Sequence, residues 1–96
     1  AERPHVANIK QQLRALAAGQ AAYFSTHRAY ASDVIRVWIP PSDNTAQGVR
    51  LRIVVADSTG YMTEGRSEFW DGRCVLAAGR PAGDSLPPGE PVCYRD

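Results

Sequence analysis

Hydrophobic residues recur at spacings of three and four along the first quarter of the chain. Polar and small residues separate them, which is the pattern of an amphipathic helix. Pro4 suits the first turn of such a helix, and nothing breaks the pattern before His27. We therefore predict one helix over residues 4–27, about 36 Å long at roughly 1.5 Å per residue. Its apolar stripe comprises Val6, Ile9, Leu13, Leu16, Ala17, Ala21 and Phe24.

The pattern changes to alternation in the middle of the chain. From Val49 to Val55, apolar residues alternate with Arg50 and Arg52, which predicts a β-strand with one buried face. A turn at 57–60 leads to a return strand over 61–66, and 73–78 reads as a third strand. Before the sheet, Ser32 or Asp33 is expected to cap a short helical turn at 34–36.

These elements predict a single α+β domain. Its long N-terminal helix packs on a small antiparallel sheet of three to four strands, and a C-terminal loop follows. The expected divisions are a helix at 4–27, an αβ-loop at 28–48, a sheet at 49–78 and a C-terminal loop at 79–96. The helix–sheet core is expected to contain Leu16, Ala17, Ala21, Phe24, Leu51 and Ile53.

Two cysteines, Cys74 and Cys93, lie near the end of the chain. An even count in a small domain favours one disulfide and hence an oxidising compartment. Two free thiols in a cytosolic protein are the alternative. A bond between the two would close the Gly- and Pro-rich C-terminal loop.

Composition and charge narrow the function classes. The 96 residues carry a formal net charge of +1, so no strong field draws the chain to nucleic acid or to a membrane. His5 and His27 lie at opposite ends of the helix without metal-ligand partners nearby in sequence, and no nucleophile motif accompanies them. We therefore expect no catalytic residue, no metal and no cofactor.

The end of the helix and the turn after it resemble the soluble part of a type IV pilin or pilin-like protein. Gln20-Ala-Ala-Tyr23-Phe24 closes the helix, and Tyr30-Ala-Ser follows in a small turn. Gly60-Tyr61 at the hairpin return and the late cysteine pair follow the order of elements in that family. The resemblance covers essentially the whole chain, and its helix-end motif is short.

The resemblance implies a structural subunit that assembles with other pilin subunits through its N-terminal helix. It also implies that Ala1 is a truncation point, and that an upstream hydrophobic segment would enter the bacterial inner membrane before assembly into a cell-surface or periplasmic filament. Val6, Ile9 and Leu13 would then face the filament core and be partly exposed in the isolated domain. If the same chain buried them, the helix would instead resemble that of an ordinary α+β domain.

Three alternatives to a pilus subunit remain. One is a pseudopilin of type II secretion, and another is a stand-alone secreted binding module. The third is a minor pilin that binds DNA or another ligand through Arg50 and Arg52, with Arg66 and Arg73 on neighbouring strands. The simpler reading of these arginines is a solvated sheet face paired with acidic residues such as Glu64.

Overall fold

A computed structural model of the protein describes residues 3–41 and 47–95. It contains one long helix on a four-stranded antiparallel sheet, with two short 3₁₀ turns. The predicted α+β fold is thereby confirmed. In chain order the elements are α1 (Pro4–His27), a 3₁₀ turn (Val34–Arg36), β1 (Val49–Ala56), β2 (Gly60–Ser67), β3 (Trp70–Gly79), a 3₁₀ turn (Arg80–Ala82) and β4 (Val92–Arg95).

Helix α1 begins and ends where the sequence pattern predicts. Pro4 occupies the first turn, where its missing N–H costs no hydrogen bond. At the other end Arg28 adopts a left-handed conformation with φ of 58°, and its N–H donates to the Phe24 carbonyl at 2.8 Å. This C-cap turns the chain out of the helix and into the αβ-loop. Asp33 caps the 3₁₀ turn by accepting from the Ile35 N–H, as predicted.

The sheet is a meander in which each strand pairs with its neighbour in sequence. Arg52 of β1 lies opposite Glu64 of β2, and Glu64 lies opposite Val75 of β3. A bulge at Val54 shifts the register of β1 near its end. From Val49 to Ile53 the odd-numbered residues of β1 therefore face the helix and the even-numbered ones face away.

Strand β4 corrects the prediction that 79–96 is entirely loop. Residues 92–95 pair with β3, and Cys93 lies directly opposite Cys74. Four residues are too few for an alternating pattern to stand out in the sequence. The two cysteines are bonded, which confirms the predicted disulfide. By the chain-entropy model, closing a loop of this size contributes about 3 kcal/mol to stability.

The core lies between α1 and the inner face of the sheet. Its fully buried apolar side chains come from three positions of the helix and two of β3: Ile9, Leu13, Leu16, Cys74 and Leu76. Gly65 of β2 lets the helix come this close. A Cβ at that position would lie 2.6 Å from Ile9 Cγ2 and 3.0 Å from Leu51 Cδ2.

Candidate interaction surfaces

The part of α1 expected to face other subunits is buried in its own domain. Val6 is 8% exposed, and Ile9 and Leu13 are 0% exposed. The expectation of partial exposure for these three residues is therefore wrong, and their burial by the same chain is what an ordinary α+β domain predicts. They pack on the inner face of the sheet, where Ile9 and Leu13 lie next to Gly65 of β2.

Contacts near both ends show how the helix lies relative to β2. Near the start of α1, the ring of His5 lies 5.5 Å from that of Phe69, just after β2. Near its end, Phe24 stacks on Tyr30, whose ring is 4.9 Å from that of Tyr61 at the start of β2. The helix thus runs antiparallel to β2, and its last turns contact the αβ-loop, through which Tyr30 reaches the sheet.

The other predicted core residues divide into three groups. Leu16 is fully buried, and Ala17 packs against the core together with Leu51 and Ile53. Phe24 is partly buried and makes its contact with Tyr30 rather than with the sheet. Ala21 is exposed, so its assignment to the core is wrong. It lies on the flank of the helix because a rotation of about 100° per residue carries it away from Leu16 and Gln20.

Two glutamines among the polar residues that separate the apolar ones are buried on the helix. Gln20 is 0% exposed and binds both backbone groups of Ala31, with its amide donating to the carbonyl and its oxygen accepting from the N–H, each at 2.8 Å. Gln12 is 3% exposed, and its oxygen accepts from the Trp38 indole N–H at 3.0 Å. These bonds hold the αβ-loop against the helix.

Gly19 completes this attachment. A Cβ there would lie 1.9 Å from the Val37 carbonyl oxygen, so only glycine allows the loop backbone to approach. The loop is fixed on its inner side and exposes apolar side chains on its outer side. Ile35 is 76% exposed and Ile39 is 83% exposed.

The face of α1 opposite the sheet is open and rich in small side chains. Gln11 and Arg14 lie on the same exposed side, and the other exposed residues nearest its centre include Ala7, Ala15, Ala18 and Ala22. Their spacing of three, four and eight places them on one side of the helix. We call these four residues the alanine face. Gly19, against which Val37 packs, directly follows Ala18, so the αβ-loop flanks this face.

The outer face of the sheet brings the sequence-predicted arginines together. Arg50 and Arg52 project from β1 on the side away from α1, and Arg50 lies opposite Arg66 of β2. Glu64 forms an ion pair with Arg52 at 3.5 Å and another with Arg66 at 3.0 Å. The side chains of Arg50, Arg52, Glu64 and Arg66 line a shallow depression.

Two titratable groups near the hairpin have shifted pKa values. The Thr59 hydroxyl, at 2.6 Å, and the Thr59 N–H, at 2.7 Å, both donate to the Asp57 carboxylate and hold its pKa below the ordinary value. Burial raises the pKa of Tyr61, and the nearby Tyr30 adds to that effect. Both groups belong to the junction of the hairpin with the αβ-loop, since the Tyr30 N–H donates to the Asp57 carbonyl at 3.0 Å.

Within residues 3–41 and 47–95, no three His, Cys, Asp or Glu side chains lie close enough together to hold a metal ion. In the same ranges, no helix is long and apolar enough to cross a membrane. Comparison with protein-family models and with curated proteins finds no match for this chain.

Proposed function

We propose that the chain is a non-catalytic structural subunit of a pilin-like filament at the bacterial cell surface, and that it assembles through α1. The observation that carries this proposal is the two-sided character of the helix. One side is fixed to the sheet by Ile9, Leu13 and Leu16, which are all fully buried. The other side is the exposed alanine face.

The helix-end motif supports this role because its residues form one structural unit. Gln20 binds the backbone of Ala31, and Phe24 stacks on Tyr30. Tyr30 in turn contacts Tyr61 of β2. A subunit held in a filament by its helix needs that helix fixed to the rest of the domain. The motif provides this attachment through the αβ-loop.

The alanine face offers the geometry for contact with a second helix. Packed helices lie 8–10 Å apart depending on the side chains between them, and alanines permit the shorter distances. In this proposal Val6, Ile9 and Leu13 act as the anchor to the sheet, and the alanine face makes the contact between subunits. Ile35 and Ile39 add exposed apolar surface on the αβ-loop beside it.

The inner membrane is the second partner in this proposal, through a hydrophobic segment encoded upstream of Ala1. The codons that precede Ala1 in the gene test this part directly. We expect a short basic leader, a glutamate soon after it and an apolar run that continues into α1. A gene that begins at Ala1 would contradict the membrane step.

Assembly is tested in the host with the whole gene product. Ala18→Arg places a long charged side chain at the centre of the alanine face and leaves the core untouched. We expect sheared filaments to fall by about tenfold, the equivalent of about 1.4 kcal/mol in the contact. Ser58→Arg, in the exposed β1–β2 turn, is the matched control and should assemble normally.

Thermal unfolding of the purified domains separates assembly from folding. Both variants should melt within a few degrees of the parent protein, because exposed substitutions change stability by about 0.5 kcal/mol or less. Normal filament yield with Ala18→Arg would contradict the proposed contact. An equal loss with Ser58→Arg would contradict its location on the helix.

A further inference from the structure

The last segment of the chain lies at the edge of the domain and contributes little to the core. In residues 83–95 no side chain is buried, and the half-buried ones are Leu86, Pro91, Val92 and Cys93. The buried side chains of the described residues all precede this segment, and the last of them is Ala82, which is 2% exposed. We call residues 83–95 the C-terminal strap.

Non-covalent contacts hold the strap along one edge of β3. Strand β4 pairs with residues 72–75 of β3, and the Gly89 N–H donates to the Ala77 carbonyl at 2.7 Å. The guanidinium carbon of Arg73 lies 5.7 Å from the centre of the Tyr94 ring. Strand pairing this short, with little apolar burial, is a weak attachment, because its hydrogen bonds replace hydrogen bonds to water.

The disulfide is the second attachment of the strap. Cys93 of β4 lies opposite Cys74 of β3 and is bonded to it, across a sequence separation of 19 residues. By the chain-entropy model, a cross-link over a loop of this size favours the closed form by about a hundredfold. Breaking this bond should therefore raise the population of detached β4 by a similar factor. The contacts between α1 and the first three strands do not depend on it.

The two bonded sulfurs differ in their access to solvent. Cys74 is 0% exposed, whereas Cys93 is half-buried. A thiolate that arrives from solvent therefore reaches the Sγ atom of Cys93 and not that of Cys74. The Cys74 sulfur is the leaving group, and it takes up a proton because burial favours the neutral thiol.

We propose that the strap is a redox-controlled element, which a dithiol reductant releases while α1 and the first three strands stay folded. One thiolate of the reductant bonds to Cys93 as the Cys74–Cys93 bond breaks. The second thiol of the reductant then displaces Cys93, so that the protein gains two thiols and the reductant becomes a disulfide. Strand β4 detaches, and residues 72–75 become an open strand edge of the kind that pairs with a further strand. This release does not involve the alanine face.

Hydrogen exchange of the oxidised and the reduced domain, measured by mass spectrometry, tests the release. With dithiothreitol as the reductant, we expect the amides of residues 92–95 to exchange about a hundredfold faster than in the oxidised protein. The amides of α1 should still exchange at least about a hundredfold more slowly than those of the strap. Unchanged protection of residues 92–95 would overturn the proposal, because strand pairing alone would then hold the strap. Loss of protection in α1 to the level of the strap would also overturn it, because the strap would then be part of the cooperative fold.

Two variants separate the bond from the other contacts of the strap. Cys93→Ala removes the bond and leaves the buried side chain of Cys74 in place, so its strap should exchange rapidly with or without reductant. Tyr94→Ala keeps the bond and removes the contact with Arg73, so its strap should stay protected until reductant is added. A protected strap in Cys93→Ala would contradict the proposal, as would a released strap in oxidised Tyr94→Ala. The measurement uses the monomeric domain, so its result does not depend on filament assembly.

Discussion

The two faces of the sheet are built from alternate residues of the same strands and have opposite character. On the inner face, Leu51 and Gly65 meet the helix in a close-packed core. On the outer face, their neighbours Arg50 and Arg66 lie opposite each other at the surface. The inner face is arranged for stability, and on the outer face Glu64 forms an ion pair with Arg66, one of these two like charges.

The helix repeats this division on its own two sides. Its sheet side buries large side chains and two glutamines, and its free side carries alanines. Both free surfaces, the alanine face and the outer face of the sheet, point away from the core and from each other. A domain of this shape can make one contact through the helix and another through the sheet at the same time.

The largest loss of stability is expected from a cavity between α1 and the inner face of the sheet. Leu13 is fully buried, and its Cγ lies 3.4 Å from the position of a Cβ built on Gly65. Leu13→Ala should lower the free energy of unfolding by about 3 kcal/mol, since a buried leucine loses both its transfer energy and its packing. Urea denaturation measures this, with Arg14→Ala on the exposed side as control. A loss below about 1 kcal/mol would mean that α1 is not packed on the sheet as described.

A slightly smaller effect is expected from the buried hydrogen bonds of Gln20. Gln20→Met keeps the length of the side chain but leaves the N–H and carbonyl of Ala31 without partners, and Ala31 is only 2% exposed. We expect a loss of about 2 kcal/mol in denaturant unfolding. Gln11→Met, one helical position from Gln12 but exposed, should change stability little. Equal effects from the two variants would show that the loop is not held by Gln20.

The stability of the β1–β2 turn should depend on pH through Asp57. Because the folded pKa of Asp57 lies below its ordinary value of 3.8, the ionised carboxylate stabilises the turn above that value. This contribution is lost as the pH falls from about 3.8 through the lower folded pKa. The stability difference between the parent protein and Asp57→Asn should therefore be greatest near neutral pH and shrink in acid. A difference that grows in acid would contradict the hydrogen bonds from Thr59.

The smallest effect is expected on the outer face. Arg50→Thr removes one member of the like-charged pair and introduces a residue that favours strands, so stability should stay equal or rise by a few tenths of a kcal/mol. Leu51→Thr, one residue along and facing inward, should lose more than about 1 kcal/mol. Thermal unfolding of the two variants compares the faces directly. A clear loss with Arg50→Thr would show that Arg50 contributes to the fold.

The helix and the first strand were predictable from the sequence because their hydrophobic patterns are long or begin at a clear boundary residue. Helix α1 has a defined start at Pro4, and β1 alternates over several residues. The sequence assigned β4 to the C-terminal loop because four residues carry no period. Strand pairing with β3 and the disulfide together hold it in the sheet.

The hydrophobic pattern of the sequence did not reveal which polar side chains are buried. Gln20 lies four residues after Leu16 and four before Phe24, so it occupies the apolar stripe itself. That position was a signal of burial, but the apolar stripe was drawn from hydrophobic residues alone. The side of α1 available to a partner was also assigned wrongly, because an apolar stripe does not reveal how far the sheet beneath it extends.

Labelling of Ala18→Cys tests the proposed use of the alanine face most directly. The native cysteines are bonded to each other, so a maleimide reagent reports the new thiol alone. We predict rapid labelling in the purified domain and strong protection in intact filaments sheared from cells, with Ser58→Cys labelled in both. Equal labelling of Ala18→Cys in the domain and in the filament would contradict assembly through this face of α1.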